Sequence, residues 1–211
     1  MKTDDLINAL AQDAAVRWRF GHVLSLALVG GAVIAATAFF LSMGFRPDIL
    51  FAVATVRFVC KIGLVLCLAI TAIGMIKRIA TPGVLAGPWA WAMAAVPVLL
   101  GVAVLAELWA MPQATWGAKL MGHNARHCVL LIPLLAIGPL ACLLFALRHA
   151  APQRPSLAGA IAGLAASGIA ATFYAMNCAD DSPLFVATWY PIATGIVVLV
   201  GYFAGARFAK W

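Results

Sequence analysis

Residues 174–190, YAMNCADDSPLFVATWY, place a polar segment between two long apolar stretches of the chain. The segment contains a cysteine and an Asp-Asp pair, and such polar groups must lie in water or be satisfied by protein partners. An apolar helix of about 20 residues is long enough to cross the roughly 30 Å hydrocarbon core of a bilayer. The pattern therefore predicts two transmembrane helices joined by a polar turn.

The composition extends this interpretation to the whole chain. Of its 211 residues, 65% are hydrophobic and 10% are charged, whereas a soluble domain carries about 25% charged residues. Six apolar runs are long enough to span a bilayer, so we predict an all-α integral membrane bundle of six transmembrane helices. A short cytoplasmic N-terminal helical arm at 1–20 precedes a transmembrane domain at 21–211. The predicted spans cover residues 21–43, 56–76, 89–110, 128–147, 157–176 and 188–206.

Positive charge predicts the orientation of these spans. The net charge is +7, and lysine and arginine concentrate in the cytoplasmic loops of membrane proteins, so the basic character requires no direct nucleic-acid partner. The side that carries both termini holds nine such residues: Lys2, Arg17, Arg19, Lys77, Arg78, Arg148, Arg154, Arg207 and Lys210. The other side holds five: Arg46, Arg57, Lys61, Lys119 and Arg126. We therefore predict that both termini are cytoplasmic.

The arm combines acidic and apolar side chains. Asp4 and Asp5 fall in its first predicted turn, where the helix dipole favours negative charge, and Asp13 follows. One face of the predicted helix is apolar and comprises Leu6, Ile7 and Leu10. Three interpretations are open for the arm: the start of the first span, an interfacial helix, or a helix that docks in the groove of a partner protein.

Side chains with redox or metal-binding chemistry collect on the outer side of the predicted bundle. They are Cys128, Cys178, His123, His127, Asp180, Asp181 and Glu107. Cys128 and Cys178 could form a disulfide in an oxidising compartment. Together with His123 and His127 they could instead bind a soft or borderline metal ion, with Asp180 or Asp181 adding an oxygen ligand. The third interpretation is unpaired cysteines in a hydrated loop, and the spacing favours none of the three.

Other residues in the spans have simpler interpretations. Arg57 and Lys61 are one turn apart at the start of the second span, and we favour their snorkelling to the outer interface over a contact with a carboxylate such as Glu107. Tyr190 is expected at the outer edge of the sixth span. GxxxG patterns in the last two spans serve either folding or association as a homodimer, and the sequence leaves both open.

Three parts of the chain carry a family resemblance: MKTDDLINALAQDA at 1–14, Cys128 at the mouth of the fourth span, and NCADDSPLFVATWY at 177–190. They resemble the NrsF-like family of six-span membrane anti-sigma factors, and the resemblance runs along the whole chain. That family often has a histidine before its second cysteine, where this chain has Asn177.

The resemblance implies a function and its partners. Members of this family are inner-membrane proteins of bacteria that hold an extracytoplasmic-function (ECF) sigma factor inactive, so the implied partners are an ECF sigma factor and the lipid bilayer, and the protein is not an enzyme. It implies that the sigma factor is bound by Asp4, Asp5, Leu6, Ile7, Leu10 and Asp13. Our own hypothesis adds that a metal or oxidant signal is received by Cys128 and Cys178, with Asp180 and Asp181 beside them.

Two other classes of function fit the sequence less well. A small ion or metal transporter or channel needs polar groups at mid-membrane, and the ionisable residues here lie near the span ends. A b-type cytochrome needs histidines inside the bundle, and the four histidines also lie at span ends: His22, His123, His127 and His149. We therefore predict no resident cofactor, and a transition or heavy metal ion enters only as a signal.

Overall fold

The structure is a computed structural model that describes residues 20–80, 87–150 and 152–208. The arm residues for which the sequence predicts a sigma-factor contact lie outside the described residues: Asp4, Asp5, Leu6, Ile7, Leu10 and Asp13. The described residues form helices and connecting turns, with no strand among them.

Six long helices and three short helical segments make up this described part of the chain. The long helices are α1 (Phe20–Ser42), α3 (Val56–Ile79), α4 (Pro88–Ala110), α6 (Ala125–Leu147), α7 (Pro155–Asn177) and α8 (Pro183–Phe208). The short segments are α2 (Ile49–Ala52), a 3₁₀ turn (Gln113–Thr115) and α5 (Trp116–Met121).

The prediction of an all-α bundle with six spans is confirmed. Each of the six long helices is long and apolar enough to cross a membrane. Their bounds differ most from the sequence prediction at α8, which begins at Pro183 rather than near 188. A proline at the first helical position costs no hydrogen bond, and the N–H of Val186 donates to the carbonyl oxygen of Ser182 at 3.1 Å. The polar connection before α8 is therefore only five residues long, Cys178–Ser182.

Helix α7 lies at the centre of the bundle. It packs against α3, α6 and α8, and touches α1 at one edge. Its buried face is rich in alanine and glycine, which allow the backbones of neighbouring helices to approach closely. By contrast, α4 lies at the periphery, packs only on α3 and α8, and has Glu107 as its one buried side chain among the described residues.

The GxxxG pairs of α7 and α8 face each other within one chain. A Cβ atom added to Gly163 would lie 2.7 Å from the carbonyl oxygen of Val197, and one added to Gly205 would lie 2.8 Å from the Cα atom of Gly159. Real Cβ atoms do not approach other atoms so closely. The two glycine faces therefore serve intrachain packing, and they are not available to a second copy of the chain.

This close packing predicts a position-specific effect of one methyl group. Gly163→Ala should destabilise the bundle by about 1–3 kcal/mol, because the two helices must move apart to admit the methyl group. Gly195→Ala is the matched control, since a Cβ atom there meets no atom within 4 Å and alanine is the better helix former. Thermal unfolding of the purified variants in detergent measures the difference. Equal melting temperatures for the two variants would contradict the packing described here.

Candidate functional site

The Cys178–Ser182 segment, called the thiol loop below, is held by side chains and backbone from several parts of the chain. The loop joins α7 to α8 at the end of the bundle where α1 and α4 end and α3 and α6 begin. We call this the loop end. The sequence left open whether the polar segment lies in water or is satisfied by protein groups, and the structure shows protein partners for most of it.

Asp181 carries the principal ionic contacts of the loop. Its Oδ2 accepts a hydrogen bond from Nη1 of Arg46 at 2.8 Å, and its Oδ1 accepts a short one from Nζ of Lys61. The side chain of Asp181 is 15% exposed, and those of Lys61 and Arg46 are 1% and 9% exposed. One carboxylate is therefore shared by two cations that are almost completely withdrawn from solvent.

Lys61 also binds the backbone of the thiol loop. Its ammonium group donates to the carbonyl oxygen of Cys178 at 2.8 Å and lies 3.5 Å from the carbonyl oxygen of Asp180. The favoured interpretation that Lys61 snorkels to the interface is therefore wrong, and the alternative of a carboxylate contact holds. The physical reason is that a buried ammonium needs anionic or carbonyl acceptors, and the thiol loop supplies three of them.

Arg46 connects the same carboxylate to the segment between α1 and α2. Its guanidinium group makes two 2.7 Å hydrogen bonds to Asp48, and these bonds together with the Asp181 contact raise the pKa of Arg46. The hydrogen bonds from Arg46 lower the pKa of the Asp48 carboxyl to about 2. The ring of Phe58 lies beside both cations, 5.9 Å from Cζ of Arg46 and 5.4 Å from Nζ of Lys61.

Asp180 holds the turn between α5 and α6. Its Oδ2 accepts hydrogen bonds from the backbone N–H groups of His123 and Asn124 at 3.0 and 2.8 Å, and from Nδ2 of Asn124 at 3.1 Å. Gly122 precedes these residues with a φ of +54°, and a Cβ atom there would lie 2.8 Å from Cγ of Asp180. The turn therefore requires glycine both for its backbone conformation and for the close approach of the carboxylate.

Glu107 anchors the last residue of the loop. Its Oε2 accepts hydrogen bonds from Oγ of Ser182 at 2.6 Å and from the backbone N–H of Leu184 at 3.2 Å. Its Oε1 lies 3.4 Å from Nη2 of Arg57 without hydrogen-bond geometry. The carboxylate therefore fixes the start of α8 and forms an ion pair with the half-exposed Arg57.

Two buried thiols lie beside this network. The side chains of Cys128, in the first turn of α6, and Cys178, at the end of α7, are 0% and 1% exposed. Both belong to the same buried core cluster of the bundle. Both are free thiols in this structure, and burial raises the pKa of the Cys178 thiol. At neutral pH Cys178 is therefore protonated and a weak nucleophile.

Two tyrosines complete the surroundings of the thiols. The rings of Tyr174 and Tyr190 lie 6.2 Å apart, and the Tyr174 hydroxyl donates to the carbonyl oxygen of Asn124 at 3.4 Å. Tyr190 is only 5% exposed, and it lies about two turns into α8 because that helix begins at Pro183. Its hydroxyl has no hydrogen-bond partner among the described residues.

The imidazoles predicted as metal ligands lie apart from the thiols. The side chain of His123 is 97% exposed, with Nδ1 3.8 Å from Oδ1 of Asp180, and His127 is exposed as well. Among residues 20–80, 87–150 and 152–208, no three side chains of histidine, cysteine, aspartate or glutamate come together as a metal site. The four residues of the predicted metal site are thus divided into a buried thiol pair and two imidazoles that face outward.

The whole chain was compared with known protein families. The model of a family described as NrsF, negative regulator of sigma F, matches residues 10–211. The chain belongs to the NrsF family. It is 33% identical to the anti-sigma-F factor NrsF of Caulobacter vibrioides over 223 residues, and 31% identical to the probable anti-sigma-F factor NrsF of Azospira oryzae over 221 residues. Both alignments cover 100% of each chain. No solved structure matches the chain.

Membership of the NrsF family establishes the general function. The chain is an anti-sigma factor, a negative regulator whose partner is a sigma factor. The family is regulatory and is not known as enzymatic. Together with the six apolar helices, this identifies a multi-pass membrane regulator of transcription.

Sequence reasoning on this NrsF-family chain missed several residues of the site. They are Arg46, Asn124, Tyr174 and Ser182, which hold or surround the thiol loop. A signal for the Lys61 contact was present, because an ammonium inside an apolar span needs a partner and the outer side holds only four carboxylates: Asp48, Glu107, Asp180 and Asp181.

Burial of Cys178 predicts slow alkylation. In a variant whose only cysteine is Cys178, iodoacetamide at pH 7.5 should react at least about tenfold more slowly than with an Ala179→Cys variant in the same cysteine-free background. Ala179 is the neighbouring loop residue and is exposed, so it provides a matched control. The rates are measured by mass spectrometry of the intact protein. Equal rates at the two positions would contradict the burial and the raised pKa of the Cys178 thiol.

Proposed function

We propose that this protein is an inner-membrane anti-sigma factor that sequesters an ECF sigma factor and releases it when thiols at its periplasmic end react with a metal ion or an oxidant. The arm at residues 1–20 holds the sigma factor in the cytoplasm, where both termini lie. The thiol loop lies at the periplasmic end. The single observation that carries the sensing part is the pair of buried thiols, Cys128 from α6 and Cys178 from the thiol loop.

The distribution of charge supports this orientation. In the sequence, five lysines and arginines fall on the side of the thiol loop and nine on the side predicted to carry both termini, as the positive-inside rule requires of a periplasmic face. Two of its basic side chains, Arg46 and Lys61, are moreover neutralised by Asp48 and Asp181. The free positive charge at the loop end is therefore smaller than the sequence count suggests.

The arm is suited to hold a sigma factor. Its acidic residues, Asp4, Asp5 and Asp13, complement a basic surface, and its apolar residues, Leu6, Ile7 and Leu10, complement an apolar groove. Helix α1 begins at Phe20 at the end of the bundle opposite the thiol loop, so the arm joins the bundle on the proposed cytoplasmic side. Binding there would exclude the core RNA polymerase from the sigma factor.

Reaction of the thiols would change the packing of the helices. A soft divalent metal ion that binds both sulfurs displaces two protons, and a two-electron oxidant joins the sulfurs as a disulfide with loss of two protons and two electrons. Either product draws the end of α7 towards the first turn of α6. A bias of a few kcal/mol between two helix arrangements is enough to change which one dominates.

The alternative function, transport of an ion or metal, has less support. Transport needs ionisable or polar groups near the middle of the spans. In the described helices, every aspartate, glutamate, lysine and arginine lies within the first or last two turns. These groups are suited to a site at one end of the bundle rather than to a path through it.

A sigma-dependent reporter in cells tests the proposed function. The arm variant Leu6→Asp/Leu10→Asp should raise reporter expression about tenfold or more without inducer, because charged side chains on the apolar face remove the sigma-factor contact. Cys128→Ser and Cys178→Ser should abolish the response to added metal ion and oxidant. Cys67→Ser is the matched control, because Cys67 is exposed on the outer face of α3.

Two results would contradict the proposal. A silent reporter with the arm variant present at normal level would exclude the arm as the sigma-factor contact. A normal response of the Cys128→Ser/Cys178→Ser protein to both inducers would exclude the thiols as the sensor. A transport assay with the same metal ion would then be the next measurement.

A further inference from the structure

We infer that Lys61 is the positioning residue of the sensing site: it fixes the thiol loop to α3, and its release from the loop transmits the reaction of the thiols to that helix. The inference rests on the proposed function, because it names the residue that couples the same thiols to the rest of the bundle.

The contacts of Lys61 converge on the thiol loop. Its ammonium group has three acceptors, namely the carboxylate of Asp181 and the carbonyl oxygens of Cys178 and Asp180. All three belong to one five-residue segment, and the side chain is 1% exposed. A single side chain of α3 therefore contacts three residues of the connection between α7 and α8, and Arg46 adds a longer bond of 3.4 Å to the Cys178 carbonyl oxygen. The 2.8 Å bond to Cys178 ends on the residue that bears the reactive sulfur.

Because Lys61 is buried, its ammonium group depends on the acceptors of the thiol loop. If it loses them, no water replaces them, and the ammonium group is left desolvated at a large cost in free energy. Its one aromatic neighbour, Phe58, belongs to the same helix and lies 5.4 Å away. If the loop moves, Lys61 must either follow it or turn outward to solvent. Both responses change the position of α3 relative to α7.

The reaction of Cys178 would pull against the Lys61 contact. The sulfur of Cys178 lies 3.9 Å from the carbonyl oxygen of Asp180 and within hydrogen-bonding reach of the Tyr174 hydroxyl. A bond from Sγ to a metal ion or to the sulfur of Cys128 draws the residue towards α6. Lys61 binds the backbone of the same residue from a different helix, α3. A new bond to the Cys178 sulfur therefore pulls the Cys178 carbonyl oxygen away from Lys61.

Helix α3 is suited to carry the displacement to the other end of the bundle. It packs along the central helix α7 and runs without interruption from Val56 to Ile79. Its last turn carries Lys77 and Arg78, at the end from which the arm extends. Rigid movement of a packed helix is an established way to couple distant sites.

Asp180 and Glu107 have different roles from Lys61. Asp180 binds the α5–α6 turn through its side chain, and Glu107 fixes the start of α8. Neither carboxylate binds the Cys178 residue itself. Lys61 and its counter-ion Asp181 therefore share one role, and the adjacent Asp180 has another, because its side chain binds the α5–α6 turn.

The test removes both charges of the pair together. In Lys61→Met/Asp181→Asn no unpaired ammonium is left in the interior, so the protein should still insert and fold. Without inducer, this variant should raise the sigma-dependent reporter about tenfold at unchanged membrane level. Arg126→Met is the matched control, because Arg126 is an exposed basic side chain in the first turn of another helix at the loop end. It should behave like the unmodified protein.

Two further readouts separate positioning from simple stability. Reporter expression should remain high when Cys128→Ser/Cys178→Ser is added, because the Lys61 link lies downstream of the thiols. Alkylation of Cys178 by iodoacetamide should be at least about fivefold faster in Lys61→Met/Asp181→Asn, because Lys61 no longer holds the thiol loop. If Lys61→Met/Asp181→Asn accumulates poorly in the membrane, the same measurements are made on Lys61→Gln, in which an uncharged amide donor replaces the ammonium group.

The outcomes distinguish this inference from the proposed function. Unchanged reporter expression together with unchanged alkylation of Cys178 overturns the role of Lys61, whatever the thiols do. If the Cys128→Ser/Cys178→Ser protein still responds to metal ion and oxidant, the proposed sensor is wrong. Faster alkylation of Cys178 in Lys61→Met/Asp181→Asn would still support Lys61 as the residue that positions the loop.

Discussion

The shared carboxylate of Asp181 is the interaction on which the loop end depends. Lys61 and Arg46 come from different segments and are almost completely buried, so each requires an anion close by. One side chain satisfies both and thereby fixes the thiol loop against α3 and against the α1–α2 connection. Without Asp181 the interior would contain two positive charges with only Asp48 to offset them.

The rest of the bundle places the thiols where this charge pair can act on them. Glycine and alanine faces bring α7 and α8 into close contact, so the two helices behave as one packed unit joined by the thiol loop. Cys128 belongs to α6 and Lys61 belongs to α3, and these two helices pack separately against α7. The arm leaves α1 at the opposite end. A reaction at the loop end can therefore reach the arm only through a change in helix packing.

The sequence alone was sufficient for the spans and for the side of the bundle on which the reactive groups gather. Apolar length determines a span regardless of its neighbours, so the six helices and the shared location of Cys128 and Cys178 could be predicted. The need of Lys61 for a carboxylate could be inferred, but the identity of its partners and the burial of Tyr190 could not be predicted, because they depend on which segment lies opposite.

A double-mutant cycle on Lys61 and Asp181 tests most directly whether this ion pair holds the thiol loop. The free energy of unfolding is measured in detergent for the unmodified protein, Lys61→Met, Asp181→Asn and the double variant. We predict that the two substitutions are not additive and that the coupling energy is about 1–3 kcal/mol. A coupling energy near zero, with both single variants as stable as the unmodified protein, would contradict it.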